Sequence, residues 1–264
     1  MDLQLKGKSA FISGSTSGIG FGVAKILLQE GAGIVINGRS RESVSKAVQG
    51  LKVMYPKGNI KGMACDFSKP TEVDTLCTTL TNIDILINNV GIYSSQDYYE
   101  TTDQQWADQI EVNIMSGVRL SRALLPNMIK NNWGRIIFVS SECASLVPAD
   151  LIAYSTTKTA LLGVSRGLAQ LTKGTSVTVN TVLPGSTMTE GAEVFIKNLA
   201  SKQKKTIAQT ESDFFKEVRT SSLLQRFARV EEVANTIVYF SSPLAAATNG
   251  AAIKLDGGSM CGII

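Results

Sequence analysis

The sequence predicts an α/β fold of the doubly wound kind, one domain over residues 1–264, and three observations carry that expectation. A short apolar run, a glycine-punctuated turn and an amphipathic helix follow one another between Ser9 and Gly31, and a second apolar run begins at Ile34. Short apolar runs and helix-period segments then alternate along the rest of the chain. The length of 264 residues exceeds the ~150 typical of a domain but suits architectures of this type.

Composition narrows the function classes. With 44% hydrophobic and 18% charged residues the chain reads as an ordinary globular protein with a large core, not a disordered one. Its net charge of +4 is not gathered into a basic arm, so nucleic acid is not an expected partner, and the Lys202, Lys204 and Lys205 cluster reads as a solvated helix face. The absence of histidine removes the usual general base of hydrolases and the commonest zinc ligand, so no metal is expected. The 4 cysteines, Cys65, Cys77, Cys143 and Cys261, lack paired short spacing and read as thiols of a reducing compartment. The opening MDLQLKGK has no apolar signal core and no run approaches the ~18 apolar residues of a membrane span, so a cytoplasmic protein is expected.

The elements follow in order. Ser9 to Ile12 predicts a buried strand, and Ile19, Val23, Ile26 and Leu27 mark the apolar face of a helix that stops at Gly31. Between them lie Gly14, Ser15, Ser17, Gly18, Ile19 and Gly20, a turn at a helix amino terminus, where free N–H groups and the positive dipole end can hold a pyrophosphate. Ile34 to Asn37 is the next strand. Its end carries Asn37, Gly38, Arg39 and Ser40 where an NAD-binding fold usually has an acid for the adenosine ribose. A missing carboxylate, a cation at Arg39 and a hydroxyl at Ser40 favour a 2′-phosphate, hence NADP(H), with NAD(H) the alternative.

Ile60 to Cys65 predicts a third strand, followed by Asp66 and Phe67. Asp66 is placed either to accept from an adenine amino group or to start the turn before a helix near Ser68 and Pro70. A buried strand, Ile83 to Ile87, runs into Asn88, Asn89 and Gly91, a backbone suited to closing over a ribose. Thr102, Asp103 and Gln105 predict a capping box opening a long helix through Trp106, Ile110, Val112 and Leu120 toward Pro126. Asn113 lies inside it; a poor helix former there either holds a water or faces solvent.

Ile136 to Ser140 is another apolar run, leading through a loop to a helix that carries Tyr154 and Lys158. Four residues is one helical turn, so phenol and ammonium share a face. A neighbouring cation favours the phenolate and is expected to pull the Tyr154 pKa down from its ordinary ~10, toward the useful range for proton transfer. After Pro184 and Gly185, the stretch from Thr189 to Leu224 predicts two helices, serving either as a lid over the active-site mouth or as a packing or subunit-contact excursion. A helix from Glu231 to Phe240 and a strand from Ala251 to Leu255 close the chain.

Together Gly14-x-x-x-Gly18-x-Gly20, Asn88-Asn89-Val90-Gly91, Asn113, Ser141, Tyr154, Lys158 and Pro184-Gly185 resemble the classical short-chain dehydrogenase/reductase family, from Lys8 to about Gly258. The resemblance implies one Rossmann-type domain with a seven-stranded parallel sheet flanked by helices, assembled as a homotetramer or homodimer. It implies that Tyr154 is the proton donor, that Lys158 lowers its pKa and bonds the nicotinamide ribose, that Ser141 orients the substrate oxygen and that Asn113 holds a water in the proton relay. Asn89, Gly91, Pro184, Gly185, Thr187 and Thr189 join the cofactor-binding set. Departures are mild: Ser13 replaces a usual Thr, Val90 a usual Ala, and Thr187 a usual Ile or Val, which leaves the role of the Thr187 side chain open.

The reaction these features imply is hydride transfer between a nicotinamide cofactor and a small carbonyl or secondary alcohol, 3-oxoacyl thioesters among the candidates. An NAD-dependent alcohol dehydrogenase and a catalytically silent nucleotide sensor or scaffold on the same fold are the alternatives. Candidate walls of the substrate site are Ile92, Tyr93, Glu142, Cys143, Val147, Leu151 and Met188, with Glu142 set to repel anions, accept a hydroxyl or point to solvent.

Overall fold

Strands buried on both faces need continuous apolar runs, and such runs build the centre of this molecule. The computed structural model describes residues 1–262; residues 263 and 264 of the expected 1–264 span lie outside the described residues. In chain order the elements are β1 (Ser9–Ile12), α1 (Gly18–Gln29), β2 (Gly33–Gly38), α2 (Arg41–Met54), β3 (Ile60–Ala64), α3 (Pro70–Thr79) and β4 (Ile85–Asn88). Next come α4 (Asp103–Gln109), α5 (Ser116–Lys130), β5 (Gly134–Val139), α6 (Cys143–Leu146), α7 (Ile152–Leu171) and β6 (Val177–Pro184). The remainder is β7 (Thr187–Met188), α8 (Glu190–Gln203), α9 (Ile207–Glu217), β8 (Ala228–Arg229), α10 (Val230–Phe240) and β9 (Ala252–Leu255).

The sheet has 7 parallel strands in the order β3-β2-β1-β4-β5-β6-β9. Alternation along each strand sorts side chains to two cores. Ala10, Ile12, Ile36, Ile87 and Val139 face α1, α2 and α10, while Phe11, Leu86, Ile136, Phe138 and Val179 face α3, α5 and α7. The chain leaves β1 toward β2 on one side and β4 lies on the other, so a crevice opens between their carboxyl ends.

The expected elements form, with shifts at their ends. The third strand stops at Ala64, one residue early, and the fourth starts at Ile85 because Ile83 and Asp84 still belong to the approach, where Asp84 N–H meets Ser9 O at 2.8 Å. The long helix after Thr102 has its capping box, but it is not continuous: Ile110–Met115 is a π-helical turn between α4 and α5. Pro126 does not end α5, which runs on to Lys130. A proline can stay inside when neighbours hold the turn, and here Leu124, Leu125 and Met128 are all buried.

Candidate active site

The glycine-rich turn is fixed by side chains from two other strand ends. Asn37, last but one in β2, accepts the Gly14 N–H on Oδ1 at 3.1 Å and donates to Met63 O at 3.0 Å. Asn89 Nδ2 donates to Ser13 O at 3.1 Å and Gly14 O at 2.8 Å, and the Ser13 hydroxyl accepts from the N–H groups of Asn89 and Val90 at 3.0 and 3.1 Å. Gly14 sits at φ +60°, a left-handed turn, and a Cβ on Gly20 would come 2.6 Å from Asn89 Nδ2, so α1 can approach the strand only without one. Asn37 was not among the sequence candidates; its signal was a buried amide at a strand end.

Several predicted cofactor residues turn their side chains elsewhere. The Ser15 hydroxyl is fully buried, donating to Ile12 O at 2.6 Å and accepting from Asn37 N–H at 2.9 Å, so only its backbone faces the crevice side of the turn. Phe67 packs in the core beside Leu76 and Val35, which removes its ring from any ligand. The Ser40 hydroxyl caps α2 by accepting Ser43 N–H at 3.2 Å, whereas Arg39 is exposed and lines a cleft of about 900 Å³ with Arg41, Met63 and Glu72. Asp66 takes the turn alternative, holding Ser68 N–H at 3.0 Å and its hydroxyl at 2.7 Å. Ser17 is exposed at the N-cap of α1 with no side-chain cap bond, and Ile19 packs against the core. The Thr187 hydroxyl folds back on Gly185 O at 2.9 Å, and Thr189 caps α8 by accepting Ala192 N–H at 3.3 Å.

Tyr154 and Lys158 share a face of α7, with Lys158 Nζ 5.6 Å from the tyrosine ring centroid. Lys158 is only 4% exposed and donates to Val139 O at 3.0 Å; burial pushes its pKa down from 10.5 to about 8. Burial also pushes the Tyr154 phenol above its ordinary value, opposed by the hydrogen bond with Ser141. Burial sets the direction of that shift and the Ser141 hydrogen bond works against it, while the lowering expected from Lys158 does not enter it. Ser141 Oγ accepts Cys143 N–H at 3.1 Å, which orients it beside the phenol.

Asn113 is neither solvent-facing nor free. It lies in the π turn, accepts Ile92 N–H at 2.8 Å, and donates to Ile92 O at 2.9 Å and Thr157 Oγ1 at 3.0 Å. Thr157 Oγ1 in turn donates to Tyr154 O at 2.7 Å, so the π turn, the loop after β4 and α7 are joined at one amide. Gly91 lets that loop pass: a Cβ there would be 3.2 Å from Lys158 Nζ and 3.5 Å from Asn113 Oδ1.

Glu142 does not point to solvent. It is 3% exposed, its Oε1 accepting from Arg219 Nε at 2.8 Å and the Ser186 hydroxyl at 3.3 Å, while Oε2 has no partner among the described residues. Arg219 follows α9, and nothing in the sequence announced a pairing across 77 positions. Around the phenol, Tyr93 is 68% exposed with its ring centroid 5.8 Å from that of Tyr154, and Val147 adopts a left-handed φ of 42°.

A phenol, a hydroxyl and a buried ammonium thus stand at the carboxyl ends of β5 and α7's first turns, across the crevice from an anion-attracting helix end. Gly18 N–H already holds a carboxylate, Glu190 Oε2 at 2.8 Å, so the turn fits an anionic group. This combination defines an oxidoreductase, and the chain belongs to the short-chain dehydrogenase family: a family model described as short chain dehydrogenase matches residues 8–243. Among similar proteins, the uncharacterized oxidoreductase YvaG of Bacillus subtilis (strain 168) is 44% identical over 258 residues, covering 98% of each chain. The D-beta-hydroxybutyrate dehydrogenase of Cupriavidus necator is 31% identical over 264 residues, 97% of this chain and 98% of that one. The crystal structure of L-sorbose reductase from Gluconobacter frateurii, complexed with NADPH and L-sorbose, superposes at a TM-score of 0.93 with 31% identity and 100% coverage of both chains.

Proposed function

We propose that this protein is an NADP(H)-dependent oxidoreductase interconverting a small carbonyl compound and the corresponding secondary alcohol, with Tyr154 as proton donor and acceptor. The observation that carries the reading is the grouping of Tyr154, Ser141 and Lys158, with a Cβ on Gly91 falling 3.2 Å from Lys158 Nζ and one on Gly14 falling 3.0 Å from the neighbouring Val90. The cofactor's place is along Gly14, Ser17, Gly18 and Ile19, past Asn89 and Gly91, with Pro184, Gly185, Thr187 and Thr189 on the opposite wall. When bound, it supplies or removes the hydride.

The chain's own groups handle the oxygen. The Ser141 hydroxyl and the Tyr154 phenol donate to the carbonyl oxygen as negative charge builds there, and Tyr154 then releases its proton to it. Lys158, still protonated below pH 8, stabilises the phenolate left behind. In the alcohol direction the phenolate takes the hydroxyl proton, so oxidation gains on reduction as pH rises. Asn113 acts by position, holding Ile92 and α7 in register around the phenol. Residues 189–224, which carry α8 and α9 and reach Glu142, next to Ser141, through Arg219, are assigned as a lid that helps exclude water.

Arg39 and the absence of a carboxylate after β2 support NADP(H) over NAD(H), as does the NADPH carried by L-sorbose reductase. Assembly as a homotetramer or homodimer rests on the family resemblance and is checked by sedimentation. Cytoplasmic residence rests on the free state of all four cysteines, Cys65, Cys77, Cys143 and Cys261. The function is tested by screening carbonyls and alcohols at the absorbance of reduced nicotinamide and comparing wild type with Tyr154→Phe. Turnover should fall roughly 10²–10⁴-fold while NADPH fluorescence still titrates, and with a preference over NADH. Unchanged turnover removes Tyr154 from the mechanism, and an NADH preference overturns the reading of Arg39.

A further inference from the structure

Glu190 opens α8, yet its carboxylate does not serve that helix alone. Oε2 accepts the N–H of Gly18 at 2.8 Å, a residue 172 positions earlier and the first of α1. α1 has no acid in its own first turn, and its N-cap Ser17 makes no side-chain cap bond, so the lid supplies the anion that this helix end attracts. Because Glu190 is also in the first turn of α8, two helix amino termini converge on one carboxylate. The fit is close: a Cβ on Gly18 would lie 3.4 Å from Thr189 Cγ2 and 3.9 Å from Glu190 Oε2.

We infer that Glu190 competes with the dinucleotide for the Gly18 donor, so that it sets cofactor affinity and ties cofactor entry to a shift of the first turn of α8. The inference rests on the dinucleotide reading given above. A pyrophosphate seated at the start of α1 brings negative charge to the place where this carboxylate already stands, and two anions cannot share one N–H. Glu190 is exposed, so its side chain can swing into water, and the penalty is moderated by solvent screening. Once it has moved, the amino ends of both α1 and α8 face the phosphates. The carboxylate therefore weakens dinucleotide binding without touching ligands that lack a pyrophosphate.

The test uses the whole protein and two ligands, NADPH and adenosine 2′-monophosphate, titrated by calorimetry against wild type, Glu190→Gln and Glu190→Ala. Both variants should bind NADPH roughly 3–10-fold more tightly, with the gain shrinking as salt is raised, because a charge opposing the phosphates has been removed. Affinity for adenosine 2′-monophosphate should stay within about twofold of wild type, since that ligand carries no pyrophosphate. Unchanged or weakened NADPH binding in both variants overturns the competition and leaves Glu190 a helix cap. Equal tightening of both ligands overturns it as well, reducing Glu190 to a general surface charge. A wild type and variants that bind neither NADPH nor NADH would bring down the dinucleotide reading itself, an outcome separate from those two.

Discussion

Lys158 is held where an ammonium is expensive to keep charged: 4% exposed, with Val139 O at 3.0 Å and a pKa pushed down to about 8. Below pH 8 the lysine is charged in both the folded and unfolded protein, and the desolvation penalty is fully present. Between pH 8 and the unfolded value of 10.5 the unfolded chain binds more protons, so this residue's contribution makes stability rise with pH, by a total on the order of 3 kcal/mol. Lys158→Met should therefore stabilise the protein at pH 7 by about 1–2 kcal/mol, the orphaned carbonyl offsetting part of the gain, and should flatten that rise. Urea midpoints at pH 7 and 9.5 measure both; a variant that follows the wild-type pH slope would show that burial is not what shifts this lysine. At this scale the sequence showed that Tyr154 and Lys158 share a face, because one helical turn fixes it. It could not show that the Ser15 hydroxyl, the Phe67 ring and the Ser40 hydroxyl turn inward or to a cap, because those directions are set by Asn37, the core and α2.

The segment after α9 meets the loop after β5 through an ion pair, Arg219 with the buried Glu142, and the residue before Glu142 is Ser141. Around them α9 is anchored by Phe214 and Phe215 against Phe227, with ring centroids 5.3 and 5.2 Å from it. A buried charge left without its partner is costly, about 3–5 kcal/mol, so Glu142→Gln and Arg219→Gln should each destabilise the protein strongly. Made together they should cost clearly less than the sum, with a coupling of ~1 kcal/mol or more in a double-mutant cycle read by urea denaturation. Additive losses would mean that the two side chains do not hold each other. The capping box at Thr102 and the two helices after Thr189 were legible from local pattern. The π turn around Asn113 was not, since it goes with an amide bonded to Ile92 and Thr157 on other elements, contacts that local pattern does not carry.

Across the whole molecule, Arg135 fastens the centre of the sheet to its rim. At 1% exposure it donates from Nε to Ser242 O at 3.1 Å and from Nη1 to Gly134 O and Ser176 O, both at 2.8 Å, with the Trp133 ring 4.8 Å away. Burial pushes its pKa down, and three carbonyls rather than a carboxylate hold it. Arg135→Met keeps much of the volume and orphans those acceptors, so a loss of about 3 kcal/mol or more in urea unfolding is expected, and wild-type stability would mean that water replaces the guanidinium. By itself the sequence determined the alternation of strands and helices, the glycine turn, the capping box at Thr102 and the phenol–ammonium face, because each depends on neighbours a few residues apart. Only the tertiary structure decided that burial governs the Tyr154 and Lys158 acidities, that Glu142 pairs with Arg219, and that Glu190 stands on Gly18. Those outcomes depend on dielectric surroundings and on contacts between residues far apart in the chain, which exist only once the sheet has brought its strand ends together.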